Sequence, residues 1–111
     1  MLQKSVRWIF RAASGWRTSL QMQAAASQIV ELYEQPFGGK PRGRFRISMK
    51  HLREVTGRKR LYESDINDLS RALNELGFAL IDMETFFVVL SHRTFTSYRR
   101  VNDAAIGAVS E

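Results

Sequence analysis

Residues 64–77 read SDINDLSRALNELG, and their apolar positions Ile66, Leu69, Ala72, Leu73 and Leu76 recur at the three- and four-residue intervals that line one face of an α-helix. Gly77 directly follows the stripe and is placed to stop it. Beyond it, FALIDMETFFVVLS is rich in β-branched and aromatic residues and divides near Met83–Thr85, which predicts two strands joined as a hairpin. A leucine-striped helix running straight into a hairpin limits what the rest of the chain can do. Its other apolar stripes must face this one.

Those stripes are legible upstream. Thr18 with Gln21 fits a capping box for a helix whose apolar face is Met22, Ala25 or Ala26, Ile29, Leu32 and Tyr33, and Pro36 ends it. PFGGKPRG then reads as a loop, and RFRI alternates arginines with Phe45 and Ile47 as a half-buried strand does. Ser48 suits the N-cap of a short helix carrying Met49, Leu52 and Val55, with Gly57 as its left-handed stop, and Ser64 suits the cap of the helix at 64–76. The expected core is Ile29, Leu32, Phe45, Ile47, Leu52, Val55, Ile66, Leu69, Leu73, Leu76, Leu80 and Val88. In the tail, RTFTSYRRVNDAAIG spaces Phe95, Tyr98, Val101 or Asn102, and Ala105 as a further helix.

Residues 1–17 place Val6, Ile9, Phe10 and Ala13 on one helical face with Lys4, Arg7 and Arg11 largely opposite. This basic amphipathic arm suits packing or dimerisation, a membrane surface, or organellar targeting. With Met22, Ile29 and Tyr33 it offers apolar surface for a homodimer through the N-terminal helices.

A chain of 111 residues with 44% hydrophobic and 25% charged residues is sized for one globular domain. It lacks cysteine, and no apolar run nears the ~20 residues of a membrane span, so a soluble cytoplasmic protein is expected. The net charge of +6 is concentrated: residues 40–60 hold nine Lys/Arg against one acid, and residues 61–91 hold one against six. Such a segment attracts phosphate polyanions or an acidic partner.

The order helix, short strand, short helix, turn, longer helix, hairpin resembles the winged helix-turn-helix superfamily over residues 18–91, carried by RFRI entering SMKHLREVTG, by SDINDLSRALNELG, and by the hairpin after its glycine. The fold class expected is mainly α with a small β-hairpin (α+β), a winged-helix-like domain between the arm at 1–17 and a C-terminal helical tail at 92–111. The connection RKRLYES exceeds the 3–4 residues of a compact helix-turn-helix. The resemblance implies that the third helix enters the major groove of duplex DNA and the hairpin tip lies along the backbone or minor groove. Asn67, Ser70, Arg71 and Asn74 are then the candidate base-reading residues. Lys40, Arg42, Arg44, Arg46, Lys50, Arg53, Arg58, Lys59 and Arg60 are the candidate phosphate-binding face. Against that docking, Asp65 and Asp68 on the helix and Asp82 and Glu84 in the hairpin would meet phosphates of like charge. The function expected is a small basic DNA-binding protein with a regulatory or accessory role in transcription, associated with the nucleoid. The alternative is a protein-interaction module without nucleic-acid contact, while exposed Phe37, Phe45, Tyr62 or Tyr98 could stack RNA bases.

Catalysis is not expected. The histidines, His51 and His92, lie far apart in sequence and suggest no Ser/His/Asp grouping. Asp65 and Asp68 share a helix face but are explained by the helix dipole rather than by a metal. GGKPRG lacks the spacing and ending of a phosphate-cradling loop, so neither metal nor cofactor is expected.

Overall fold

The computed structural model describes residues 19–110. The amphipathic arm, its part in a homodimer, and Thr18 lie outside these residues. The described chain is of mixed α+β class. In order it forms α1 (Leu20–Tyr33), β1 (Phe45–Ser48), α2 (Met49–Thr56), α3 (Glu63–Glu75), β2 (Phe78–Asp82), β3 (Phe86–Ser91), a 3₁₀ helix (His92–Ser97) and α4 (Asp103–Ser110).

Helix α1 starts from Ser19, whose hydroxyl accepts the Met22 N–H at 3.1 Å. Gln21, expected to complete a capping box with Thr18, instead reaches across to the carbonyl of Thr56 at 2.8 Å. Most of the stripe expected on α1 is buried, as Met22, Ala25, Ala26, Ile29 and Tyr33, but Leu32, assigned to the core, is half-buried and faces the open groove between α1, β1 and α2. Met22, Ile29 and Tyr33 belong to the protein's own core, so these three do not supply the apolar surface expected for a homodimer.

Strand β1 does more than lead into α2. It pairs antiparallel with β3 (Phe45 opposite Val89, Ser48 opposite Phe86), and β2 pairs with the other edge of β3, so the hairpin becomes a three-stranded sheet of order β1-β3-β2. The hairpin turn sits at Met83–Thr85 as expected, with Glu84 in the left-handed region at φ 74° and its N–H bonded to the Asp82 carboxylate at 2.8 Å. Period-two alternation carries Phe45, Ile47, Leu80, Phe87 and Val89 to the same sheet face, against α1 and α3. The expected core residue Val88 falls on the opposite face and is half-buried, while Phe87 and Val89 on either side enter the core.

Ser48 caps α2 as expected, accepting the His51 N–H at 3.2 Å, and Gly57 stops it at φ 74°. A Cβ there would also approach the Gln21 amide nitrogen at 3.4 Å. Two other expectations fail. Ser64 does not cap α3: Tyr62 takes the N-cap position and Asp65 reaches back to its N–H at 2.9 Å, so an acidic side chain supplies the acceptor. Leu76, assigned to the core, is 47% exposed because the helix ends at Glu75 and the chain turns away through Gly77.

The tail does not form one helix. A 3₁₀ helix is capped by Ser91, residues 98–102 are non-helical, and α4 follows with every residue exposed. The Phe95–Tyr98 pair survives as an edge-to-face contact at 5.4 Å. Among the described residues no helix is long and apolar enough to cross a membrane.

The core centres on Leu52, Leu69 and Leu73, each fully buried. Leu73→Ala should destabilise the domain by about 2–5 kcal/mol, whereas Leu76→Ala should stay within about 0.5 kcal/mol. Urea unfolding followed by circular dichroism measures both.

Candidate nucleic-acid interface

Helix α3 is packed against α1 on one side and β2 at its end, which fixes the face it shows to solvent. Asn67 and Arg71 are exposed and Ser70 is half-buried, so three of the four candidate base-reading residues share an outer stripe with Ser64. Asn74 is exposed too, but its Oδ1 lies 3.1 Å from His92 Nε2, tying it to the 3₁₀ helix. Arg71 is partly engaged by Asp68 at 3.4 Å, one turn back.

Asp65 behaves differently from the other acids. It is only 9% exposed and holds two partners, the Tyr62 N–H and, at 2.9 Å, the Arg58 guanidinium. Arg58 in turn donates through Nε to Gln21 Oε1 at 3.0 Å, and Gln21 donates to the Thr56 carbonyl. One chain of hydrogen bonds therefore joins the end of α2, the start of α3 and the start of α1. Sequence reasoning assigned Arg58 to phosphate and Asp65 to the helix dipole. Arg58 and Asp65 are seven residues apart across the α2–α3 connection and Arg58 and Gln21 are 37 apart, so no periodicity within one element reveals either pairing.

The nine candidate phosphate ligands fall into separate groups. Lys40, Arg42 and Arg44 occupy the loop that returns to the C-terminal end of α1, where the Gly43 N–H donates to the Tyr33 carbonyl at 2.9 Å. Arg46 lies on β1 and Lys50 in the first turn of α2, near the hairpin turn through the Ser48–Phe86 pairing, and the Arg46 guanidinium sits over the Phe86 ring at 5.6 Å. Arg53, Arg58, Lys59 and Arg60 cluster at the α2 stop and the following connection, joined to the N-terminal end of α1. From Gln21 to Tyr33 the helix rises about 18 Å, so the first and third groups stand at opposite ends of α1.

Arg42 and Arg58 are each spoken for. Arg42 makes a fork to Glu34, 2.7 and 2.8 Å to its two carboxylate oxygens, and its guanidinium lies 5.7 Å from the Tyr33 ring centroid. The other seven cations make no ion pair among the described residues. Of these, Lys59 and Arg60 lie in the connection ahead of α3, separated from it by Leu61 and Tyr62, and are exposed. His51 lies 4.0 Å from Glu54, and among the described residues no group of three or more His, Asp or Glu side chains could hold a metal ion.

The Arg42 hydrogen bonds outweigh an opposing desolvation and, with a smaller help from the Arg42 charge, hold the Glu34 carboxyl below its ordinary 4.5. The Glu34 contribution to stability is thus complete above pH 4.5 and is lost as pH falls through the lowered value. Both side chains are exposed, so the contribution is small. A carboxyl NMR titration should show the Glu34 midpoint rising toward 4.5 in Arg42→Gln.

Breaking the inner network should matter more. Arg58→Met leaves the Asp65 carboxylate nearly buried without its cation, and should cost about 2–3 kcal/mol in denaturant unfolding. Lys59→Met, one residue on, should be neutral within about 0.5 kcal/mol. Comparison with known proteins adds no kinship to this geometry: no family model, no curated protein and no solved structure matches the chain.

Proposed function

We propose that the domain is a winged helix-turn-helix that binds duplex DNA through α3 and the cations beside it, in a regulatory or accessory role. The observation that carries this reading is the fate of Asp65. Asp65, one of the two acids in the first turn of α3, is turned inward and paired with Arg58, which leaves Ser64, Asn67, Ser70 and Arg71 as an outward polar stripe preceded by Lys59 and Arg60, with Glu63 the exposed acid of that turn. The element order and the sheet order β1-β3-β2, with the hairpin following α3, also support it.

Four acids still oppose close docking: Glu63 at the first residue of α3, Asp68 on its face, and Asp82 and Glu84 in the hairpin. Asp68 is half-buried against Arg71, and Glu84 is exposed at the hairpin turn. The reading therefore gives phosphate contacts most of the affinity and base reading a lesser part. A protein-interaction module is the second reading, favoured by exposed apolar side chains at Val101, Ile106 and Val109.

Fluorescence titration of labelled duplexes separates the two. Binding should weaken steeply with salt, and Lys59→Ala with Arg60→Ala should weaken it about equally on unrelated sequences, flattening the salt slope by up to about two phosphate equivalents. Asn67→Ala or Arg71→Ala should lower discrimination between sequences, by about 1–3 kcal/mol for a bidentate contact. Asp68→Asn should tighten binding. Absence of any duplex binding by micromolar protein at low salt would remove the DNA reading and leave the interaction module.

A further inference from the structure

We propose that α4 of one copy of this chain seats in the groove between α1, β1 and α2 of a second copy, giving a reciprocal two-fold dimer. The proposal is independent of DNA binding.

Helix α4 is eight residues long and exposed at every one of them, with Ile106 and Val109 at 58% and 85%. Isolated helices shorter than about 12–15 residues are marginal in water, so helical structure here calls for a covering surface. Ile106 and Val109 are three residues apart and share a face, with Val101 just ahead of the helix.

The same chain carries a groove of matching character. A cavity of about 730 Å³ lies between the C-terminal half of α1, β1 and α2, and Leu32, Phe37, Phe45 and Val55 give it an apolar lining. Its volume falls in the range of built binding clefts. Glu31 on α1 and Glu54 on α2 contribute acids from opposite walls.

Charge sets the orientation. Arg99 and Arg100 stand immediately before the apolar run of the tail, where they can meet Glu31 and Glu54 as Ile106 and Val109 enter the groove. Asp103, in the first turn of α4, gives Arg46 on the groove lining an opposite charge. A tail of sequence basic, then apolar, thus fits a cleft that is apolar inside and flanked by two acids. Within one chain the groove is open while α4 is fully exposed, so the contact is made between copies. Two identical contacts about a two-fold axis close the assembly and leave neither helix nor groove unpaired.

Light scattering of the full chain at tens of micromolar tests this, a concentration suited to micromolar dimer affinity by order of magnitude. The wild type should show twice the 12.8 kDa chain mass. Ile106→Glu with Val109→Glu changes only exposed tail positions, and Glu31→Lys with Glu54→Lys only exposed groove positions, so both variants should stay folded by circular dichroism and run as monomers. Mixed, they should recover a dimer fraction, because the intact tail of the groove variant fits the intact groove of the tail variant. A monomeric wild type, a dimer that survives either pair of substitutions, or failure of the mixture to recover dimer each overturns the proposal. A dimer abolished only by removing residues 1–17 would assign the assembly to the N-terminal arm instead.

Discussion

Three helices are tied together at one guanidinium. Arg58 follows the left-handed stop of α2, reaches Gln21 on α1, and meets Asp65 in the first turn of α3. Of its two partners Asp65 is nearly enclosed, which raises the strength of that bond and the penalty for losing it, while Gln21 is exposed. The six residues between Thr56 and Glu63 would otherwise let α2 and α3 settle at many relative angles. Gly57 permits the abrupt turn because its φ of 74° suits a residue without Cβ. Stop, ion pair and cap are therefore one device. The orientation of α3, and with it the identity of the residues on its outer stripe, depends on that device.

The sheet positions the other end of the molecule. Because β3 is central, its alternation places Phe87 and Val89 in the core while Val88 joins Arg46 and Ile81 on the other face. That same register brings Ser48, the cap of α2, opposite Phe86 at the end of the hairpin turn. The start of α2 is thereby held near the hairpin, and its end near α3 through Thr56 and Arg58. At the C-terminal end of α1, Tyr33 packs edge-on to Phe78 at 4.9 Å while its carbonyl accepts the Gly43 N–H. The loop between α1 and β1 is thus anchored there too.

Much of this was legible in the sequence where the signal was local. The stripes of α1 and α3, the serine cap and glycine stop of α2, the alternation in β1 and the turn at Met83–Thr85 all follow from spacing within one element. The failures have identifiable physical causes. Val88 and its neighbours form the unbroken apolar run FFVVL, in which alternation gives no phase, so only pairing with β1 and β2 selects the inward residues. Ser64 is a better cap by type than Tyr62, yet Asp65 supplies the acceptor one turn into the helix, and the ion pair with Arg58 holds it there. Tyr98 and Val101 have helical spacing, but the 3₁₀ turn capped by Ser91 ends before Tyr98, and extended backbone follows. At the candidate site the residue types could be read, whereas their grouping could not. Arg58 and Lys59 are adjacent in the chain, and only one of them is engaged by the core.

That grouping constrains which polyanion suits the proposed interface. Lys40 and Arg44 stand at one end of α1 and Lys59 and Arg60 at the other, separated by about 18 Å of helix rise. This exceeds the Debye length of about 8–10 Å at physiological to moderate salt, so exposed charges at the two ends do not add at a single anionic group. A compact ligand or a short acidic loop would feel one cluster alone, at modest affinity. A duplex presents phosphates in continuous rows on either side of a major groove about 12 Å wide, so the proposed ligand is long enough to span that separation. Each engagement releases its own counterions, so the two contributions combine in the salt slope even though the clusters do not sense each other. Under the proposed function the divided basic surface therefore suits an extended polyanion better than a point-like one, and α3, with Asp65 turned inward, lies beside the cluster at 58–60.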